Sequence, residues 1–172
     1  LKGVETVKKI VKQSIKLNIP ILTFYVFSSE NWKRPEKEKK YLFNLIKRYF
    51  SIELNNIIYQ GIKINILGDF KRFSSDLKLV LKKTTELTKK NRKIIVNLAI
   101  NYGSKMEIIQ AFKKTKGDFK IKNLEKNLFT KNMPNPDILI RTGGYQRLSN
   151  FLLWQLAYTE LFFLKKLWPD FN

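Results

Sequence analysis

The sequence predicts an α/β fold: a single domain with a mainly parallel central sheet flanked by helices. Three observations carry that expectation. Amphipathic helical stretches alternate with short β-branched and aromatic runs, the pattern of repeated βα units. The apolar runs end in polar or glycine-rich residues, at Ser28-Ser29-Glu30-Asn31-Trp32, Gly68-Asp69, Asn101-Tyr102-Gly103 and Arg141-Thr142-Gly143-Gly144. The length of 172 residues, 44% of them hydrophobic, suits one domain with a sizeable core.

Taken in order, Glu5 to Leu17 reads as an amphipathic helix with Val7, Ile10, Val11 and Ile15 on one face, stopped by Asn18 and Pro20. Ile21 to Phe27 is a continuous β-branched and aromatic run, as expected of a strand covered on both faces. Glu36 to Tyr59 fits a long helix, with Pro35 at its entry and Gly61 at its stop. Lys63 to Leu67 reads as a strand, Ser74 to Lys90 as a helix, Ile94 to Ile100 as a strand and Ser104 to Lys114 as a helix. After a less regular stretch from Gly117 to Pro136, Asp137 to Ile140 reads as a strand, Asn150 to Tyr158 as a helix and Glu160 to Leu164 as a last strand. In such folds ligands gather at the carboxyl edge of the sheet, which is where the polar strand ends would lie.

Composition narrows the chemistry. Neither cysteine nor histidine is present, so disulfides, thiolate metal sites and histidine acid–base work are excluded within this sequence. The net charge of +20 invites a nucleic-acid reading. However, the lysines are spread over nearly every helix face, as a genome low in G and C would impose, and no nucleic-acid partner is expected. No apolar run is long enough to cross a bilayer, and a cytoplasmic protein, at most peripheral to the membrane, is expected. Against 28 lysines stand only six arginines, and three of these, Arg34, Arg141 and Arg147, occupy polar motifs at strand ends. A guanidinium retained in a lysine-rich chain suggests a place for a planar fork, which fits carboxylate or phosphate.

Two segments concentrate hydrogen-bonding groups. Ser28 to Pro35 sets two hydroxyls, an amide and Arg34 beside Trp32, more than a helix cap needs and suited to a ligand with a charged head and an apolar body. Ile140 to Asn150 places Arg141, Arg147, Ser149 and two glycines between a strand and an expected helix, where backbone N–H groups and guanidiniums could share phosphate oxygens. Glu160 lies between apolar runs, where a carboxylate is costly unless paired or metal-bound. Mg²⁺, which commonly takes one or two protein carboxylates, is the metal expected there.

These segments resemble the cis-prenyltransferases, most closely the bacterial undecaprenyl diphosphate synthases. The likeness rests on Leu22 to Pro35, Ile66-Leu67-Gly68-Asp69, Asn101-Tyr102-Gly103 and, above all, Asp137 to Phe171, including Leu167-Trp168-Pro169-Asp170-Phe171. It implies elongation of an allylic diphosphate, such as farnesyl diphosphate, by cis additions of isopentenyl diphosphate in a Mg²⁺-assisted homodimer whose product passes to the membrane. On that pattern Ser28, Ser29, Glu30, Trp32 and Arg34 line the substrate-binding strand end. Arg141, Arg147 and Ser149 bind isopentenyl diphosphate with Leu148 among them, and Glu160 falls on the metal position. Asn31 matches the residue assigned as catalytic proton acceptor. A neutral amide is a very weak base, so orienting the isopentenyl group suits it better.

The chain departs from the pattern at Tyr145, where related enzymes often carry Glu, and at Ser104-Lys105. The resemblance also implies an earlier strand with a Met-Asp-Gly-Asn-Gly-Arg signature before Leu1 and a terminal helix after Asn172, without which this stretch alone would be inactive. The competing readings are a noncatalytic partner subunit of a prenyltransferase complex and, behind it, a basic nucleic-acid-binding domain.

Overall fold

The computed structural model describes residues 2–115, 117 and 119–172; Asp118, inside the stretch read as irregular, lies outside them. Contacts group the chain into two compact units, Ser14–Tyr102 and Leu1–Gln13 with Gly103–Asn172. Helix α1 spans Lys2–Lys16 and is followed by β1, Ile21–Ser28. The remaining elements of the first unit are α2 (Glu36–Tyr59), β2 (Ile62–Leu67), α3 (Ser75–Thr88) and β3 (Ile94–Tyr102). In the second unit α4 (Ser104–Lys114), α5 (Ile121–Glu125), β4 (Ile138–Arg141) and β5 (Glu160–Phe163) follow.

In the unit Ser14–Tyr102 the three strands are parallel in the order β1-β3-β2, so β3 enters between its two predecessors. That central position makes β3 the most buried strand, with Ile94, Val96, Ala99, Ile100 and Tyr102 at 3% exposure or less. Strand β1 is an edge of this sheet, and of its residues only Phe27 is buried. The expected cover on both faces is therefore not met at β1 within the described residues. One polar line crosses the sheet where register aligns Thr23, Asn97 and Asn65. Asn65 Nδ2 donates to Asn97 Oδ1 at 3.0 Å, and Asn97 Nδ2 donates to Thr23 Oγ1 at 3.1 Å. The buried amide is thus satisfied sideways, and the line also penalises a one-residue slip of register.

In the other unit β4 and β5 form a parallel pair, with Ile138 opposite Glu160 and Arg141 opposite Phe163. Helix α1 is tied to the same unit, since Thr6 Oγ1 donates to Pro169 O at 3.0 Å and Trp168 Nε1 donates to Gly3 O at 3.1 Å. The one element that the sequence misassigns lies here: Asn150 to Tyr158 is a series of turns, not a helix. Ser149, Asn150 and Leu152 take left-handed φ values of 50°, 62° and 44°, which break helical propagation. The backbone of this segment serves α4 instead. Ser104 N–H donates to Asn150 O at 2.8 Å, Lys105 N–H donates to Asn150 Oδ1 at 2.9 Å, and Leu153 N–H donates to Ser104 Oγ at 2.9 Å. Phe151, Leu152 and Leu156 are buried, so the apolar periodicity that mimics a helix is satisfied by turns.

Candidate active site

The carboxyl ends of β1, β2 and β3 are stitched together by one residue. Paired residues jump from Tyr25 to Phe27 in β1 and from Ile100 to Tyr102 in β3, so Val26 and Asn101 are each an extra residue. Asn101 sits at φ 52°, a conformation asparagine tolerates. Its Oδ1 accepts from Trp32 Nε1 at 2.6 Å, and its Nδ2 donates to Asp69 O at 2.7 Å. Gly68, at φ 140°, approaches the same place so closely that an added Cβ would lie 2.0 Å from Ile100 O. Asn101 is absent from the expected site residues, although an asparagine closing a buried strand was a signal for it.

Ser28 to Lys33 leave β1 in a 3₁₀ turn built on a capping box. Asn31 Oδ1 accepts the Ser28 N–H at 3.0 Å, so its carbonyl is engaged and its amide N–H₂ is the end left to donate. A proton-acceptor role does not fit that arrangement. Trp32 packs edge-on against Phe27 at 5.4 Å and near Phe43 at 5.6 Å. Lys39 Nζ, on a buried side chain, donates to Trp32 O at 3.0 Å and pairs with Glu36. The Arg72 guanidinium lies over the Trp32 ring at 4.3 Å, a cation–π contact that brings a further arginine, besides the expected Arg34, to this strand end. Ser29 is half-buried, while Glu30 and Arg34 are exposed. Arg34 helps line a cavity of about 490 Å³ whose other walls are Phe27, Tyr41 and Leu42, with Lys37, Glu38 and Lys39.

Glu30 also acts on Tyr25, whose hydroxyl donates to Tyr102 O at 3.2 Å. Burial, and then the Glu30 charge, push the Tyr25 pKa up to about 12, so this phenol stays a neutral donor.

The loop after β4 is organised by side chains. Arg141 Nη1 donates to Ser149 Oγ at 2.8 Å and to Arg147 O. The Tyr145 ring lies 4.4 Å from the Arg147 guanidinium and 5.9 Å from that of Arg141. Burial first, and the Arg147 charge second, lower the Arg141 pKa from its usual value. Leu148 is half-buried, and its carbonyl accepts Phe151 N–H at 3.1 Å. The two glycine amides and a following helix N-terminus are not available for phosphate binding. Gly143 N–H is spent on Lys166 O and Gly144 N–H on Leu164 O, each at 2.9 Å, and no helix starts after the loop. The glycines leave open space instead: an added Cβ at either would meet nothing within 4 Å.

Glu160 differs from its expected setting. It is exposed at the start of β5 rather than buried between apolar elements, so desolvation does not force a partner on it. In the strand register it faces Ile138, three residues before Arg141, or about 10 Å along the strand at the usual rise. Among the described residues no cluster of three or more Asp or Glu side chains could cage a metal. A single exposed carboxylate still suits Mg²⁺ in the way that ion is commonly held, with water and phosphate oxygens completing its shell.

A family model described as undecaprenyl diphosphate synthase matches residues 1–172. An isoprenyl transferase of Oceanobacillus iheyensis is 43% identical, with the match covering 99% of this chain and 71% of that protein; one of Rickettsia sibirica is 42% identical, covering 99% and 77%. Among solved structures, a probable undecaprenyl diphosphate synthase from Campylobacter jejuni superposes with a TM-score of 0.90 at 35% identity, over 99% of this chain and 83% of that one. The lavandulyl diphosphate synthase of Lavandula x intermedia, solved with dimethylallyl diphosphate, superposes with a TM-score of 0.94 at 31% identity, over 99% and 78%. With a match along its whole length, the chain belongs to the undecaprenyl diphosphate synthase family of isoprenyl transferases and is a prenyltransferase.

Proposed function

We propose that this prenyltransferase condenses isopentenyl diphosphate onto an allylic diphosphate, with farnesyl diphosphate as starter. The product is a long-chain polyprenyl diphosphate such as undecaprenyl diphosphate, the lipid-carrier precursor of cell-wall synthesis. The observation that carries this reading is the cavity beside Arg34, which sets Phe27, Tyr41 and Leu42 against a charged wall where Arg34, Lys37 and the Glu36-paired Lys39 outnumber Glu38. A prenyl diphosphate has that same division of apolar tail and anionic head. Burial of the growing tail contributes roughly 0.8 kcal/mol per CH₂.

Isopentenyl diphosphate is assigned to the Arg141, Arg147, Leu148 and Ser149 loop, where two adjacent guanidiniums and a hydroxyl offer charge-assisted donors to a diphosphate. Ser28, Ser29, Glu30, Trp32 and Arg34 are assigned to the substrate-binding strand end. Asn31 orients substrate through its free amide donors rather than accepting the proton. Negative charge grows on the departing allylic diphosphate, and nearby cations stabilise it in the transition state. Mg²⁺, held at Glu160 when bound, would supply further charge neutralisation of the diphosphate.

Homodimerisation is supported by α4, which leaves Met106, Ile109 and Phe112 exposed along one face, with Phe119 stacked on Phe112 at 4.8 Å. Monomer mass in sedimentation velocity would remove that part. No described helix is long and apolar enough to cross a membrane. Handover of an amphiphilic product to an anionic lipid surface suits a chain of net charge +20.

The test is turnover by the full protein with labelled isopentenyl diphosphate and, separately, farnesyl, geranyl and dimethylallyl diphosphates. Products are resolved by chromatography, with and without a chelator. A ladder of long products from farnesyl diphosphate, lost on chelation and restored by Mg²⁺, is expected. Incorporation that stops after one addition from dimethylallyl diphosphate would refute the long-chain reading.

A further inference from the structure

The loop from Ile140 to Asn150 contains two arginines and neither Asp nor Glu. Two like charges gathered in one loop repel each other, and the Arg147 charge adds, behind burial, to the lowering of the Arg141 pKa. What lies against both of them is a ring. The centroid of Tyr145 is 4.4 Å from the Arg147 guanidinium and 5.9 Å from that of Arg141. Tyr145 is 57% exposed, so filling the core is not its role. An aromatic face attracts a cation through its quadrupole without cancelling the formal charge. A carboxylate, which related enzymes often carry in the same place, would instead hold the guanidiniums by ion pairing.

We propose that Tyr145 is a positioning residue for the isopentenyl diphosphate site, its ring face holding Arg147 and Arg141 side by side as a pair of un-neutralised cations. The inference rests on the assignment of that loop to isopentenyl diphosphate.

The experiment titrates the full protein with inorganic pyrophosphate by calorimetry. It also measures kcat and KM for each substrate in Tyr145→Phe, Tyr145→Trp and Tyr145→Leu, with binding normalised to the folded fraction seen by circular dichroism. The aromatic variants are expected within about twofold of the parent. Tyr145→Leu is expected to weaken pyrophosphate binding by roughly 5- to 30-fold, the sum of two exposed cation–π contacts. It should raise the KM for isopentenyl diphosphate by a similar factor, with kcat and the allylic KM unmoved.

A leucine variant that binds as well as the parent, or a phenylalanine variant as weak as leucine, overturns the proposal. Arg141→Ala separates it from the reading beneath it. Loss of binding in Arg141→Ala with parental binding in Tyr145→Leu sinks the Tyr145 role alone. Parental binding in Arg141→Ala, or none in the parent, sinks the loop assignment and the role of Tyr145 together.

Discussion

The strand ends around Asn101 and the loop after β4 both gather polar side chains, yet they are built in opposite ways. Around Asn101 the polar groups hold one another: Ser28 with Asn31, Trp32 and Asp69 with Asn101, and Lys39 with Trp32. In the loop the backbone amides of Gly143 and Gly144 are tied to Leu164 and Lys166, while the guanidiniums of Arg141 and Arg147 face a ring and a hydroxyl. The first region spends its hydrogen bonds on shape. The second leaves its guanidiniums facing no carboxylate among the described residues, which suits the anionic ligand proposed for it. A cluster of polar residues in a sequence does not distinguish these two uses; only the partners do.

The sharpest way to break this contrast is at the glycines. Gly68→Ala would place a Cβ 2.0 Å from Ile100 O at a strained φ, and a loss of about 3–4 kcal/mol in urea unfolding is expected. Gly144→Ala meets only the cost of its left-handed backbone, about 1–2 kcal/mol, because nothing lies near its added Cβ. Equal losses would erase the distinction between a filled strand end and an open loop.

Next in size is Arg141→Ala. Loss of its charge-assisted donors, about 1.5–3 kcal/mol, should weaken pyrophosphate binding by roughly 10- to 150-fold in calorimetry. Arg141→Lys should recover only part of this, since Nη1 alone serves Ser149 Oγ and the Arg147 carbonyl, and an ammonium lacks the remaining planar donors that a guanidinium can turn to a diphosphate. Full recovery by lysine would show that charge alone matters there.

Asn31 sharpens the other side of the comparison. Asn31→Asp keeps an oxygen for the Ser28 N–H and so keeps the cap, but removes the amide donors and adds a negative charge. Native thermal stability with at least tenfold slower turnover is expected, whereas Asn31→Ala should also lose about 1 kcal/mol of stability. An aspartate variant with parental turnover would restore the proton-acceptor reading.

The smallest effect concerns pH. The Tyr25 pKa is raised to about 12 from an ordinary value of 10.0, so the folded chain holds this proton where the unfolded chain releases it. The contribution is full below pH 10.0 and is lost as pH rises toward about 12. Tyr25→Phe should flatten that limb of the pH–stability curve. An unchanged slope would remove Tyr25 as its cause.

Much of this fold could be read without coordinates, for a local reason. The bounds of α2 and α4 agree with the pattern because Pro35, Gly61, Gly103 and the apolar spacing act within a few residues. The grouping of Arg141, Arg147 and Ser149 was equally readable, since one loop carries all three. Asn150 to Tyr158 was not. Its apolar spacing fits a helix, but the Asn150 carbonyl and the Leu153 N–H are claimed by Ser104 and the Asn150 side chain by Lys105, far away in sequence. Tertiary demand overrode the local pattern there. Arg72 was passed over for a similar reason, because only the folded sheet ends bring its guanidinium over Trp32. Glu160 was read as buried because its neighbours are apolar, yet Leu161 and Phe162 are themselves 41% and 50% exposed.

The stitching of Ser104 and Lys105 to Asn150 and Leu153 bears on how the molecule is born. A nascent chain emerging from the ribosome releases α4 well before the residues that complete its first turn, because synthesis at roughly 5–20 residues per second takes seconds to reach them while a helix winds in about a microsecond. The arginine-bearing segment and the start of α4 therefore come into being in the same late step. Any premature stop upstream of Asn150 leaves both unfinished.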